Sequence, residues 1–352
     1  VLRDDFKQIN FLKDFSREYK NLDQFYIDDN ARERLKQMTP VKRWIFKTGW
    51  LLRSMILHLT PIRRILVLIG LALFMFNGSA GDEATNVVIV NKGVLSGIIF
   101  LFVLLLELRD KLVMQNELEA GRKVQQSLMP AQQPELAGWE IWLYTMPANE
   151  VGGDLIDYLK LDEEASVITI ADIAGKGLQA ALLMTKLQAT IRALAGKDHT
   201  LAEFAGTFNR IFHRDSPSNL FASMIYTMIH PNSGKISYVN AGHFPPLLIR
   251  PDGIDIQPKG GPALGIIAKV QFTVQVLELK PGEMYLAYTD GIIEAKNDRG
   301  EFYGMERFLE LLNVIKVLPL DEIGKRISGS VQWFADGAPM SDDLSVLILK
   351  RL

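Results

Sequence analysis

The stretch Val167-Ile168-Thr169-Ile170-Ala171-Asp172-Ile173-Ala174-Gly175-Lys176-Gly177 decides how the rest of the chain is read. Val167 to Ala171 is a short apolar, β-branched run, the pattern of a buried strand. It delivers an aspartate, then breaks into glycine and leads into an Ala/Leu-rich segment that fits a helix from Gly177 to Ala195. A second helix fits Leu201 to Arg214. Ser223 to Ile229, the turn Pro231-Asn232-Ser233-Gly234 and Lys235 to Val239 carry a hairpin signature. Pro246 to Ile249 and Ile254 to Gln257 flank Pro251-Asp252-Gly253, and Val270 to Leu279 and Met284 to Tyr288 flank Pro281-Gly282. Helices fit again at Met305 to Ile315 and Asp321 to Ala335, and Leu344 to Lys350 reads as a last strand. Hairpins interspersed with paired helices predict antiparallel sheets covered by helices, not a doubly wound parallel sheet.

The arrangement at Asp172 recurs. Asp154 follows Val151-Gly152-Gly153, Asp290 lies between Tyr288-Thr289 and Gly291, and Asp342 and Asp343 precede the last strand. Strand-end carboxylates beside glycine are placed to converge on one site, although a lone aspartate there is more often a solvated turn former. The chain has no cysteine, which excludes thiolate metal sites and a cysteine nucleophile. Its five histidines include no His-x-x-x-His pair, so a metal would be held by oxygen, the preference of Mg²⁺ or Mn²⁺. With 39 basic and 41 acidic residues, the global charge gives no argument for nucleic acid. His243, in Asn240-Ala241-Gly242-His243, reads either as a proton donor or as a turn histidine.

The amino-terminal third differs. Residues 1 to 60 read as a cytoplasmic and interfacial segment, the first 40 studded with charge and without a secretion-signal pattern. Within them Trp44, Leu51, Leu52, Met55, Ile56 and Leu59 share a helical face that suits either an interfacial helix against membrane lipid or an ordinary packed helix. Residues 61 to 106 contain two uncharged runs, 17 residues from Ile65 to Gly81 and 14 from Gly93 to Leu106. Both are short of the roughly 20 residues of a membrane span. Flanking charge favours a two-helix membrane hairpin over buried core helices: residues 40 to 64 hold six Lys/Arg and no acid. The expectation is a multi-pass protein of the inner membrane, with Asn77 to Lys92 outside and the catalytic domain in the cytoplasm. Residues 107 to 130 read as a linker helix stopped by Pro130. Leu105, Leu108, Leu112 and Gln115, then Leu118, Gly121, Gln125 and Leu128 in a shifted register, offer a coiled coil and hence a homodimer, with a solitary helix as the alternative.

Taken together and in order, the segments of residues 131 to 352 resemble the metal-dependent (type 2C) serine/threonine protein phosphatases, in the bacterial branch that includes the sporulation and stress-response enzymes. The resemblance rests on residues 119 to 130, Val151-Gly152-Gly153-Asp154, Asp172 to Gly177, Asn240 to His243, Gly261-Pro262-Ala263-Leu264-Gly265, Thr289-Asp290-Gly291 and Asp342-Asp343-Leu344-Ser345. It implies an α/β fold, an αββα sandwich of two antiparallel sheets, with two divalent cations, Mn²⁺ or Mg²⁺, at one end. Asp172 would bridge both ions and, with Asp154, carry catalysis. Ile173 would offer its carbonyl, Asp154 would serve one ion, and Asp290 with Asp342 the other. Asp343 would support them. The implied reaction is attack of a metal-activated water on a phosphoserine or phosphothreonine of a phosphoprotein, an anti-sigma-factor antagonist in a partner-switching pathway. Lys176 stands where some members carry histidine.

Overall fold

A computed structural model describes residues 33–35, 38–76, 92–196, 200–217, 219–338 and 340–352. Two compact units divide the chain, residues 1–114 and 115–352.

In the first unit, α1 (Pro40–His58) and α2 (Pro61–Met75) each begin with proline in the first turn, where its missing N–H costs nothing. The long α3 (Lys92–Leu128) runs unbroken from the second apolar stretch through the linker. Arg63 of α2 donates to Glu107 and to Asp110 of α3, both at 2.6 Å. Among the described residues no helix is long and apolar enough to cross a membrane. The 15 residues of α2 rise only about 22 Å against a hydrocarbon core of about 30 Å, and they include Arg63 and Arg64. The apolar opening of α3 gives way to Glu107, Arg109, Asp110 and Lys111. The expected membrane hairpin over residues 61 to 106, and with it the multi-pass placement in the inner membrane, is therefore overturned. Where the uncharged runs are described they lie in helices that also carry charge, paired between Arg63 and Glu107 and Asp110. Residues 1–32 and most of the expected outer loop lie outside the described residues.

The second unit is a four-layer α/β sandwich. One antiparallel sheet orders β1 (Trp139–Met146), β10 (Leu344–Arg351), β9 (Met284–Tyr288), β6 (Leu247–Ile249) and β7 (Ile254–Ile256). The other orders β2 (Leu155–Lys160), β3 (Ser166–Ile173), β4 (Ala222–Ile229), β5 (Lys235–Ala241) and β8 (Val274–Glu278). Helices α4 (Leu178–Leu194) and α5 (Leu201–Asp215) cover the second sheet. Helices α7 (Gly304–Ile315) and α8 (Leu320–Ala335) cover the first, and the one-turn α6 (Asp290–Ile293) leaves the end of β9.

The strand period of two sorts side chains between three cores. On β3, Val167, Ala171 and Ile173 pack on α4 and α5, while Ile168 and Ile170 point between the sheets. On β10, Val346 and Ile348 face α7 and α8, while Leu347 and Leu349 point between the sheets. Each of these side chains is essentially sealed from water, which contributes about 1.5–3 kcal/mol for every Val, Ile and Leu among them. The same parity extended beyond the apolar residues puts Asp172, Asp154, Thr289, Ser345 and Asp343 on the inter-sheet faces at one end of the sandwich.

Candidate active site

Asp343 organises this end. Its Oδ1 accepts the amide of Ala148 at 2.7 Å, and its Oδ2 accepts those of Gly153 at 2.6 Å and Asp154 at 3.3 Å. The buried carboxylate thus clamps the loop that carries Asp154. Burial pushes the Asp343 carboxyl up, the three amides oppose this, and the charge of Asp342 adds to it. A Cβ on Gly291 would fall 2.0 Å from the Asp343 carbonyl oxygen, so only glycine lets the Thr289-Asp290-Gly291 turn approach the last strand so closely.

Asp154 is buried and accepts the Thr289 hydroxyl at 2.8 Å on Oδ2. That hydroxyl in turn accepts the Ser345 amide at 2.9 Å. Burial, then the charges of Asp172 and Asp343, push the Asp154 carboxyl well above the usual carboxylate range. Burial followed by Asp290, Asp342 and Asp343 pushes Asp172 up to about 7, with Lys176 pulling the other way. Burial, then Asp342 and Glu294, push Asp290 up to about 6. The carbonyl of Ile173 lies against Gly153, 3.3 Å from where a Cβ would stand. Asp342 is partly exposed and pairs with Lys176 at 2.9 Å.

All six residues singled out from the sequence are therefore brought to one end of the sandwich, each of the five carboxylates within the field of at least one other. Among the described residues, however, no three histidine, aspartate or glutamate side chains converge closely enough to form a ready-made chelate. The donor set nonetheless fits hard divalent cations. It is all oxygen, and its members raise one another's pKa, a repulsion that positive charge between them relieves. Asp343 differs from the rest, since both its oxygens are engaged by backbone amides.

His243 is buried, its Nδ1 lies 2.7 Å from the Ser223 hydroxyl, and Asn240 holds its backbone through the amide at 2.8 Å and the carbonyl at 3.1 Å. Burial lowers its pKa to about 4, so at neutral pH it is an uncharged turn residue without a proton to give as imidazolium. Sequence reasoning missed Thr289 and Ser345 as the hydroxyl and amide that hold Asp154. It also missed Gln125 of α3, whose buried amide donates to the Gly152 carbonyl at 2.7 Å and accepts its N–H at 3.2 Å. The sequence signals for Gln125 were its place in the linker pattern and in the stretch 119 to 130 of the family resemblance.

The Stage II sporulation protein E (SpoIIE) family model matches residues 162–352, more than half of the chain. The chain belongs to the SpoIIE family. This is the sporulation and stress-response branch of the metal-dependent (type 2C) serine/threonine phosphatases, hydrolases that use Mn²⁺ or Mg²⁺. Among curated relatives, Protein IcfG of Synechocystis is 30% identical over 67% of this chain and 41% of its own length. Phosphoserine phosphatase RsbU of Bacillus subtilis is 25% identical over 67% of this chain and 70% of its own. The chain thus spans less than half of IcfG. Of solved SpoIIE-like folds, the PP2C domain of SiaA from Pseudomonas aeruginosa superposes with a TM-score of 0.61 at 17% identity, covering 69% of this chain and 98% of that one. The RsbU and RsbW domains of Rv1364c from Mycobacterium tuberculosis give 0.53 at 26%, covering 62% and 61%.

Proposed function

We propose that this chain hydrolyses phosphoserine or phosphothreonine on a protein partner, an anti-sigma-factor antagonist in a partner-switching pathway. The observation that carries the reading is the meeting of Asp154, Asp172, Asp290 and Asp342 at one end of the sandwich in a SpoIIE-family chain. Support for the partner comes from the relatives: RsbU and RsbP of Bacillus subtilis are phosphoserine phosphatases, and the mycobacterial structure contains RsbU and RsbW domains.

In this reading Asp172 and Asp154 are the catalytic carboxylates. Asp172 and the Ile173 carbonyl would hold two divalent cations, with Asp154 serving one and Asp290 and Asp342 the other. Bound there, such cations supply Lewis acidity, which acidifies water and neutralises phosphoryl charge. The chain's own contribution is to keep the carboxylates in place. Thr289 fixes one oxygen of Asp154, and Asp343 ties down the Ala148 and Gly153 amides so that the loop cannot drift. No cysteine competes for the nucleophile's role.

The test is release of phosphate from a phosphoserine peptide during Mn²⁺ and Mg²⁺ titrations of the intact chain, beside a chelator control. Saturable, metal-dependent release is expected. Absence of release on the peptide and on a phosphorylated antagonist protein alike would reject the reading. We also read α3 as a dimer surface, because Leu105, Leu108 and Leu112 are exposed at heptad spacing. Sedimentation equilibrium showing only monomer at tens of micromolar would reject that part.

A further inference from the structure

Lys176 is the one cationic side chain that the described structure places against a proposed ligand carboxylate of this site. It stands between Gly175 (φ +117) and Gly177 (φ +71), backbone conformations that L side chains rarely adopt. This double glycine turn, between the end of β3 and the start of α4, projects the lysine across to residues 341 and 342. There its Nζ lies 2.9 Å from Asp342 Oδ2 and donates to the Ser341 carbonyl. Two acceptors from one short segment fix the ammonium beside Asp342. Its charge also acts on Asp172 and Asp290.

An ordinary surface ion pair would join two groups with no other charge nearby. Here the partner belongs to a crowd of carboxylates, and the lysine offsets part of their mutual repulsion. A divalent cation approaching Asp342 meets both a carboxylate already hydrogen-bonded and a fixed positive charge. We propose that Lys176 is a built-in counter-cation that competes with the divalent ion at Asp290 and Asp342, holding that ion's affinity below what the carboxylates alone would give. The inference rests on the metal assignment above and adds to it a residue that sets affinity without being a ligand.

The side chain of Lys176 is about half exposed, at 56%, so its effect is screened and modest. Losing an exposed ion pair corresponds to about a two- to fivefold change in an equilibrium constant, and removing the like charge adds to it, so roughly three- to tenfold is expected. The experiment measures free Mn²⁺ by electron paramagnetic resonance during titration of the full chain, for the parent, Lys176→Met and Lys176→Arg, in low and in high salt, with thermal melting as a check on folding. Lys176→Met should bind one of its ions roughly three- to tenfold more tightly than the parent in low salt. Lys176→Arg, which keeps the charge, should bind like the parent, and high salt should narrow the gap. Equal or weaker binding by folded Lys176→Met, or an arginine variant that behaves like the methionine one, would overturn the proposal. A parent that binds no Mn²⁺ at all would instead reject the metal assignment itself.

Discussion

Asp343→Ala isolates the part of the site that depends on position and not on ligation. The substitution removes the acceptor of three backbone amides, those of Ala148, Gly153 and Asp154. A buried donor left without an acceptor costs about 1–3 kcal/mol, and the two residues most enclosed here, Gly153 and Asp154, are both buried. Against this stands relief, because the carboxylate is itself raised in pKa by burial and by Asp342. Two buried amides at about 2 kcal/mol each put the loss at no more than roughly 4 kcal/mol, and that relief lowers it. For a domain of this size, about 2–4 °C per kcal/mol puts the melting temperature up to about 8–16 °C below the parent in chelator. The assay is calorimetric melting of both proteins in EDTA and again in excess Mn²⁺. Asp343→Asn should fall between them, because it keeps an acceptor for Ala148 but turns a donor toward Gly153 in one rotamer and the reverse in the other. If Asp343→Ala melts within about 2 °C of the parent in EDTA, the clamp is not a clamp and the account of how Asp154 is placed fails.

Two further outcomes follow from the same geometry. Asp172 at about 7 and Asp290 at about 6 hold their protons more tightly when folded than the ordinary carboxylate value of about 3.9 in the unfolded chain. Their ionised forms therefore destabilise the metal-free fold, so its melting temperature in EDTA should rise as pH falls from 8 to 5.5, and excess Mn²⁺ should flatten or reverse that slope; a flat or falling profile in EDTA would contradict the clustered charge. Gln125→Ala strands the buried Gly152 N–H two residues from Asp154, so Mn²⁺ should bind severalfold more weakly to the intact chain; unchanged affinity would make the contact a mere tether.

The strand-end aspartates were legible because each sits beside glycine or where an apolar run begins or stops, and strand parity does the rest. Once Ile168 and Ile170 face the inter-sheet core, Asp172 must follow them. The hairpin of β4 and β5 and the strand Met284–Tyr288 were legible for the same reason, through turn residues bounding β-branched runs. Strand β2, Leu155–Lys160, escaped notice because Asp157 and Lys160 break its pattern. Asp157 is buried there only because Arg192 of α4 reaches it with two hydrogen bonds at 2.7 and 2.8 Å. The grip of Asp343 on Gly153 spans 190 positions, and that of Thr289 on Asp154 spans 135, so neither leaves a local trace. The membrane reading failed on length, where two uncharged runs flanked by basic residues imitate a hairpin that α2 and α3 are too short or too charged to form.

The proposed role of Asp172, as the carboxylate that would serve both cations, is the most direct to test. Asp172→Asn keeps the side-chain volume while removing a charge from a crowded cluster, so folding should be retained or strengthened in chelator. Changes one shell away from a metal already cost about 10- to 100-fold, and a shared ligand should cost more. The deciding measurement is Mn²⁺-dependent turnover of Asp172→Asn on a phosphoserine peptide at saturating metal, beside the parent and with melting recorded for both. The account predicts a folded protein with turnover more than 100-fold below the parent. A variant that keeps more than about a tenth of parental turnover, or that loses turnover only because it has unfolded, would contradict it.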